Sequence, residues 1–302
     1  MCLVALALAQ SRRFPLVIAA NRDEFFDRPA TRLAWWTPPC GAAAILSGRD
    51  LDSGGTWMGL TAQGRLGVLT NIRESAAPDP EAPSRGHIIT DWLRAKGPQD
   101  RFWMRTALSG YKGFNLIAAD FASGQCFWAS NRGALPQRLE PGLYGISNAA
   151  LDTPWPKVRA LKARVRASLD SAATVEDLAT RLFAALADRA VPADADLPST
   201  GVSIELERAL APAFVHTADG RYGTRCSTLL ITEAVGRHQL THVIERSFAP
   251  DGSATLQRSA QLRGWPPQNF DGSVAPAQVL DPGAVSEIDL RGEALSELAL
   301  PI

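Results

Sequence analysis

The sequence predicts an α+β domain in which antiparallel strands and helices form separate layers. Apolar runs of strand length recur along the chain, and most are separated by short polar turns, a spacing that favours antiparallel pairing. Two longer segments repeat apolar residues at the spacing of one helix face. Antiparallel strands with segregated helices are typical of an α+β layered domain, and not of a doubly wound parallel sheet.

The first element is a predicted β-hairpin at the N-terminus. Residues 3–9 and 16–20 are apolar runs, and the segment 10–15 between them is typical of a turn. A secretory signal is the alternative for an apolar start, but it needs a basic leading region and about 15–30 residues, whereas this run has no leading charge and stops at Gln10. We therefore expect a buried first strand.

Further strands follow from the same periodicity. They are expected at residues 57–60, 66–70, 114–119, 125–129 and 143–147, with a late hairpin at 227–232 and 239–247.

Three helices are predicted between these strands. One covers residues 156–170 and another covers 87–96. A third begins after Thr174, where Thr174-Val175-Glu176-Asp177 resembles a capping box with Asp in place of the usual Glu. The pattern weakens beyond about residue 260. We expect one domain over residues 1–260 and a C-terminal extension over 261–302 that can pack on it.

Composition argues against several classes of protein. Lys plus Arg number 31 and Asp plus Glu number 31, so the basic excess of a nucleic-acid-binding protein is lacking. No segment reaches the roughly 18 apolar residues of a membrane span. The cysteines are spread without a CxxC pair, which indicates reduced thiols and a cytoplasmic location. They are Cys2, Cys40, Cys126 and Cys226.

The N-terminal hairpin brings a cysteine to a polar segment. A turn centred on Arg12 and Arg13 sets Cys2 opposite Asp23, to within two residues. Directly opposed residues share a face, with Cβ atoms about 4.5–5.5 Å apart. Asp23 belongs to the polar segment Asn21-Arg22-Asp23-Glu24.

Position two has a chemical consequence. Aminopeptidases remove Met1 when the next residue is small, which leaves Cys2 with a thiol and a free α-amine. The amine, with an ordinary pKa of about 7.7–8.0, can act as the base for the thiol, with an ordinary pKa of about 8.5. The alternative is a buried structural cysteine, a common role for this residue type.

The residues already singled out resemble a known family. Cys2 followed by Asn21-Arg22-Asp23-Glu24-Phe25 resembles the NRDE family, or transport and Golgi organisation protein 2 family. The resemblance continues in consistent order through residues 46–50, 54–59, 69–71, 113–120, 144–148 with 153–155, and 222–225.

That family is similar to N-terminal nucleophile (Ntn) hydrolases of the choloylglycine hydrolase and penicillin V acylase type. The similarity implies a four-layer αββα sandwich of two antiparallel sheets flanked by helices. It also implies cleavage of a non-peptide C–N bond, with Cys2 as nucleophile and Asp23 supporting its amine. Asn71 and Asn148 match the two asparagines that assist the oxyanion and the amine, and Arg225 matches a late arginine beside the thiol.

One position departs from those hydrolases. They carry an arginine three residues before the Asp, where this chain has Ala20. Arg22 adjoins Asp23, but strand alternation points it to the opposite face unless the strand ends or bulges there. We therefore expect Arg225 to take more of the thiol-supporting role than Arg22.

Other residues are candidates for ligand binding. Asn21, Arg22 and Glu24 flank the acid, and Trp57 and Trp155 can line a pocket for an apolar acyl group, although core packing explains them equally well.

A Gly-rich stretch carries further polar residues. Arg49 and Asp50 lie in it, but the stretch lacks the Lys-Ser/Thr ending of a phosphate loop. We expect a structured loop near the site.

Two functions remain open. The first is a cysteine amidohydrolase that uses no cofactor or metal and acts on a small-molecule acyl amide. His238 and His242 do not suggest a metal site, because four residues of a strand span about 13 Å. The second is a non-catalytic protein on the same scaffold that binds haem or an acyl lipid such as acyl-CoA, or acts in trafficking.

Overall fold

The computed structural model describes residues 2–39, 43–75, 81–95, 99–133, 135–236, 238–267 and 284–291. In chain order the elements are β1 (Cys2–Leu8), β2 (Leu16–Phe25), β3 (Ala30–Trp36), β4 (Ile45–Asp50), β5 (Met58–Thr61), β6 (Arg65–Asn71), α1 (Gly86–Arg94), α2 (Gln99–Ala107), β7 (Phe114–Asp120), β8 (Gln125–Ser130), β9 (Gln137–Arg138), β10 (Gly142–Ile146), α3 (Pro156–Ser171), α4 (Val175–Leu186), α5 (Ile204–Leu210), β11 (Tyr222–Val235), β12 (His238–Phe248), β13 (Ala254–Arg263) and β14 (Ser286–Asp289).

The strands form two antiparallel sheets of seven strands each. The N-terminal sheet has the order β10-β1-β2-β11-β12-β13-β14, and the second sheet runs from β3 to β9 in chain order. No helix within the described ranges is long and apolar enough to cross a membrane.

The alternation of side chains along β1 separates two cores. Val4 and Leu6 pack between the two sheets, whereas Leu3, Ala5 and Ala7 pack against α3 and α4 on the other face. A third core joins the second sheet to α1 and α2. Helices therefore cover the outer face of each sheet, and the predicted four-layer αββα sandwich is confirmed.

The N-terminal hairpin forms, but its register differs by one residue from the central prediction. Its last pair before the turn is Leu8 with Leu16, so the loop has an odd number of residues. As a consequence Cys2 lies opposite Arg22, and not opposite Asp23. A register shift of one residue moves every side chain of a strand to the other face of the sheet. This difference therefore decides that Arg22, and not Asp23, lies on the same face as the Cys2 thiol.

Most elements with clear periodicity match the prediction. Thr174 caps α4, with its hydroxyl accepting a hydrogen bond from the backbone N–H of Asp177 at 3.1 Å. The elements that periodicity missed are β3, β4, β9, β13, β14, α2 and α5.

An irregularity in β3 ties the two sheets together. The pairing of β3 with β4 shifts register between Thr31 and Ala34, which leaves Leu33 outside the ladder. Glu245 Oε1 on β12 accepts the N–H of Leu33 at 2.7 Å, and Arg258 on β13 donates to its carbonyl at 3.1 Å. Both backbone groups of Leu33 are thus satisfied from the opposite sheet.

The described part of the C-terminal segment packs on the domain. β13 runs across residue 260, and β14 pairs with it. Trp265 is fully buried, and its indole N–H donates to the carbonyl of Thr61 at 2.9 Å. The domain boundary at residue 260 stays a prediction.

Candidate functional site

A cavity of about 910 Å³ lies where the inner faces of the two sheets end. Cys2 and Arg22 border it from the N-terminal sheet, and Arg49, Trp57 and Asn71 border it from the second sheet. Because Cys2 is the first residue of β1, its thiol stands at the end of the inter-sheet core and not inside it.

The electrostatic environment of Cys2 is set mainly by burial. The side chain is buried, and burial raises the pKa of its thiol to about 11. The negative charge of Asp23 raises this pKa further, whereas the positive charge of Arg22 lowers it. The thiol is therefore protonated at neutral pH, and its ionisation requires a nearby base.

Asp23 lies one residue beyond the partner of Cys2 and is almost fully buried. Thr224 donates its hydroxyl to Asp23 Oδ1 at 2.7 Å, and the Tyr222 hydroxyl donates to the Asp23 carbonyl at 3.0 Å. Burial raises the pKa of Asp23, and the positive charge of Lys157 opposes that change. The carboxyl group is thus held in a fixed position beside the start of β1.

The two asparagines predicted from sequence meet next to Cys2. Asn148 is buried, and its Nδ2 donates to the carbonyl of Asn71 at 2.8 Å. Ser147 Oγ lies 3.2 Å from the carbonyl oxygen of Cys2 and donates a hydrogen bond to it. Asn71 borders the cavity, so Asn148 is placed to hold the backbone of Asn71.

Arg225 borders the same cavity but has other partners. Its Nη1 donates to the carbonyls of Phe25 at 2.6 Å and Arg28 at 3.0 Å, and its guanidinium stacks on Phe26. We expected Arg225 to take more of the thiol-supporting role than Arg22, but the structure places Arg22 directly opposite Cys2. The division of that role between the two arginines stays a prediction. Side chains do alternate along β2 as expected, but the hairpin register differs by one residue from the predicted one, which puts Arg22 on the same face as Cys2.

The candidate binding residues separate into two groups. Arg22, Glu24 and Trp57 border the cavity, whereas Asn21 and Trp155 lie on the helix side of the sheet.

Partners on the helix side account for both residues outside the cavity. Asn21 Nδ2 donates to the carbonyls of Leu186 at 2.9 Å and Ala213 at 2.8 Å, so this residue anchors the helix layer. Trp155 packs on the core beneath α3 and α4, with the guanidinium of Arg73 over its ring.

The cavity also contains residues that sequence reasoning did not select. Arg85 directly precedes α1. Burial lowers the pKa of the Arg85 guanidinium, and the negative charge of ionised Cys2 is the strongest influence in the opposite direction. Glu245 is a buried carboxyl group at the wall, and Cys226 pairs with Arg22 from the other side of β2. Glu245 lies in a predicted strand and Arg85 lies just before a predicted helix, but no local pattern marks either residue as part of a site, so only long-range packing reveals their role.

The Gly-rich stretch near the site is partly a strand. Arg49 and Asp50 end β4 and border the cavity, where a loop was expected. Asp50 accepts from Arg28 at 2.6 Å and from Arg22 at 3.4 Å. Arg49 donates to the carbonyl of Gly54 at 3.2 Å and stacks on Trp36.

Comparison with solved structures finds chains of low sequence identity. An N-acylethanolamine-hydrolyzing acid amidase ortholog of Caenorhabditis elegans has a TM-score of 0.42 and 12% identity, covering 76% of this chain and 92% of that chain. A mutant conjugated bile acid hydrolase from Clostridium perfringens has a TM-score of 0.40 and 8% identity, covering 97% of this chain and 94% of that chain.

Comparison by sequence is more decisive. The chain is 33% identical over 250 residues to a transport and Golgi organization protein 2 homolog of Homo sapiens, and 32% identical over 251 residues to the homolog of Mus musculus. Each match covers 78% of this chain and 87% of the relative. A family model described as Transport and Golgi organisation 2 matches residues 1–250. The chain therefore belongs to the Transport and Golgi organisation 2 family.

Proposed function

We propose that this protein is a cysteine amidohydrolase that cleaves the C–N bond of a small acyl amide, with Cys2 as the nucleophile after removal of Met1. One observation carries the proposal: the thiol of Cys2 borders a cavity of about 910 Å³ and lies directly opposite Arg22. After removal of Met1, Cys2 carries both its thiol and the free α-amine of the chain, which none of the other three cysteines in the sequence can do.

The first step is attack on the amide carbonyl. The α-amine of Cys2 takes the thiol proton, and the sulfur forms a bond to the carbonyl carbon. This base is needed because burial raises the thiol pKa to about 11. Arg22 favours the thiolate through its positive charge, and Asp23 holds and balances the ammonium that forms.

The second step is loss of the amine. The negative oxygen of the tetrahedral intermediate needs hydrogen-bond donors, and the side-chain amide of Asn71 at the cavity wall is the candidate. Asn148 positions Asn71 through its hydrogen bond to the Asn71 carbonyl. The intermediate collapses when the C–N bond breaks and the leaving nitrogen takes the proton from the Cys2 ammonium.

The third step returns the free enzyme. Water attacks the thioester carbon, the α-amine of Cys2 accepts a proton from that water, and the acyl group leaves as a carboxylic acid. The proton then returns to the sulfur. The same amine is thus the base in both halves of the reaction.

The experiment compares cysteine variants of protein made without an N-terminal tag. Intact mass establishes whether Met1 is absent, and hydrolysis is measured across a panel of acyl amides. We expect Cys2→Ala to abolish turnover, whereas Cys126→Ala retains it, because Cys126 is buried in the inter-sheet core away from the cavity. Turnover that survives Cys2→Ala in a folded protein contradicts the proposal.

The raised thiol pKa supports a second candidate function. If Met1 is retained, no base is attached to Cys2, and a protonated thiol in a large cavity is suited to ligand binding without catalysis. The names of the relatives concern transport and Golgi organisation, which agrees with such a role. Saturable binding of haem or an acyl-CoA with no amide hydrolysis favours this candidate, and absence of both bindings rejects it.

A further inference from the structure

The wall of the cavity carries an excess of positive charge. Among its described residues, eight arginine and lysine side chains accompany four carboxylates. The whole chain has no such excess, because its 31 basic and 31 acidic residues balance. Positive charge is therefore concentrated in this cavity.

The four carboxylates at the wall are too few to neutralise this charge, and one of them, Glu24, lies 3.8 Å from Arg22. Asp50 is shared between Arg28, at 2.6 Å, and Arg22, at 3.4 Å, so one acid faces two bases. Glu245 is engaged with the backbone of Leu33, and burial raises its pKa, which favours the uncharged acid. Asp23 accepts from the hydroxyl of Thr224, and in the proposed mechanism its charge is assigned to the ammonium of Cys2.

Three arginines at the wall are held by neutral groups. Arg49 donates to the carbonyl of Gly54 and stacks on Trp36, and Arg85 donates to the carbonyl of Gly113 at 3.0 Å. Arg225 donates to two backbone carbonyls. Within the described ranges none of these three guanidinium groups forms an ion pair with a carboxylate.

This arrangement has a physical consequence. Bonds to carbonyls orient each guanidinium but leave its full charge, and partial burial removes part of its hydration. Burial accordingly lowers the pKa of both Arg85 and Arg225. An oriented, partly dehydrated guanidinium binds a carboxylate or phosphate strongly, because little rotamer freedom is lost on binding.

We propose that the substrate of this site is an acyl amide bearing an anionic group, a carboxylate or a phosphate, which the arginines of the cavity wall bind. The inference rests on the proposed function in calling this ligand a substrate, but binding of the anionic group does not require turnover. Arg49, Arg85 and Arg225 are the specificity-determining residues, since no described carboxylate forms an ion pair with any of them.

The test measures binding to the full chain carrying Cys2→Ala, so that no ligand is consumed. Isothermal titration calorimetry compares N-octanoylglycine with its neutral counterpart N-octanoylglycinamide, and N-octanoylethanolamine with its O-phosphate. We expect at least one anionic ligand to bind about tenfold more tightly than its neutral counterpart, and the preference to shrink as salt is raised. The two pairs distinguish a carboxylate from a phosphate. Equal affinity within both pairs overturns the inference.

Charge-removing variants locate the site. We expect Arg49→Gln, Arg85→Gln or Arg225→Gln to reduce the affinity for the anionic ligand by about tenfold and to leave the neutral one unchanged. Arg181→Gln is the control, because Arg181 is exposed on α4, pairs with Asp177 of the same helix and does not border the cavity. If none of the three changes exceeds the control, the inference is wrong. The ligand comparison uses a single protein and does not depend on the variants folding.

Failure of the inference and failure of the proposed function give different results. Selective anion binding by the Cys2→Ala protein, with no hydrolysis by the unaltered one, supports the anion site and rejects the hydrolase. Hydrolysis of neutral and anionic amides with the same kcat/KM supports the hydrolase and overturns the inference.

Discussion

Cys2 and Arg22 are directly opposed on β1 and β2, and both side chains border one cavity between the two sheets. The guanidinium is thus the charged group that the hairpin itself delivers to the thiol. It also lies 3.4 Å from Asp50 on the second sheet, so the pair links the hairpin to the opposite wall of the cavity.

Removal of the Arg22 charge tests this relationship. We expect Arg22→Gln to raise the thiol pKa and to lower kcat/KM by about tenfold, because the opposed positive charge favours the thiolate. Alkylation of Cys2 by iodoacetamide, followed by peptide mass spectrometry as a function of pH, measures the pKa. Arg28→Gln is the matched control, since Arg28 also pairs with Asp50 but is not opposite Cys2. If Arg28→Gln has the same effect as Arg22→Gln, the change arises from the lost ion pair with Asp50, and not from the charge opposite Cys2.

The pH dependence distinguishes the two forms of the N-terminus. In processed protein the α-amine is the base, so kcat/KM rises as that amine loses its proton, near an ordinary pKa of about 8. In protein with one extra N-terminal residue, thiolate forms only as the pH approaches about 11. We therefore expect activity at pH 8 in the processed form alone, measured by steady-state kinetics from pH 5 to 9. Identical profiles for the two forms would refute the role of the amine.

The two asparagines should respond differently to truncation. Asn71→Ala removes the candidate oxyanion donor, and we expect kcat to fall by about 10²–10³ with little change in stability. Asn148→Ala removes a buried hydrogen bond to the Asn71 carbonyl, and we expect a loss of about 1–2 kcal/mol in the free energy of unfolding as well as lower activity. Steady-state kinetics and urea denaturation check both. Unchanged kcat in Asn71→Ala would exclude it as the donor.

Burial of Glu245, the acceptor of the Leu33 hydrogen bond, predicts a pH-dependent stability, because burial raises the pKa of this carboxyl group against the opposing effect of that bond. The folded state raises the pKa of Glu245 above its ordinary value of 4.5, so the folded state prefers the protonated form. The stabilisation is complete below pH 4.5 and declines as pH rises through the raised value. We expect Glu245→Gln, which keeps an acceptor for the Leu33 N–H, to remove this decline.

The same hydrogen bond predicts the cost of truncation. We expect Glu245→Ala to lower the free energy of unfolding by about 2–3 kcal/mol, because the buried N–H of Leu33 then has no acceptor. Urea denaturation between pH 4 and 8 measures both variants and the unaltered chain. Parallel pH profiles for the unaltered chain and Glu245→Gln would show that Glu245 does not titrate differently on folding.

Elements with a strong local pattern were predictable. The hairpin of β1 and β2, the capped helix α4 and the central strands of both sheets follow from apolar periodicity and turn residues, which act over a few residues. β3 was missed because its buried residue, Leu33, depends on partners distant in the chain, and β14 was missed because it is short and largely exposed. Leu33 is buried against Glu245 and Arg258, more than two hundred residues away.

The sequence by itself determined that a cysteine at the start of the first strand meets a polar segment at the end of the second, because a hairpin with two apolar arms can pair in few ways. Only the tertiary structure decided which polar residue shares the thiol's face, since strand side chains alternate with a period of two and one extra loop residue exchanges them. It alone also assembled the arginine-lined cavity, because Arg49, Arg85 and Arg225 converge through sheet stacking, which no local pattern encodes.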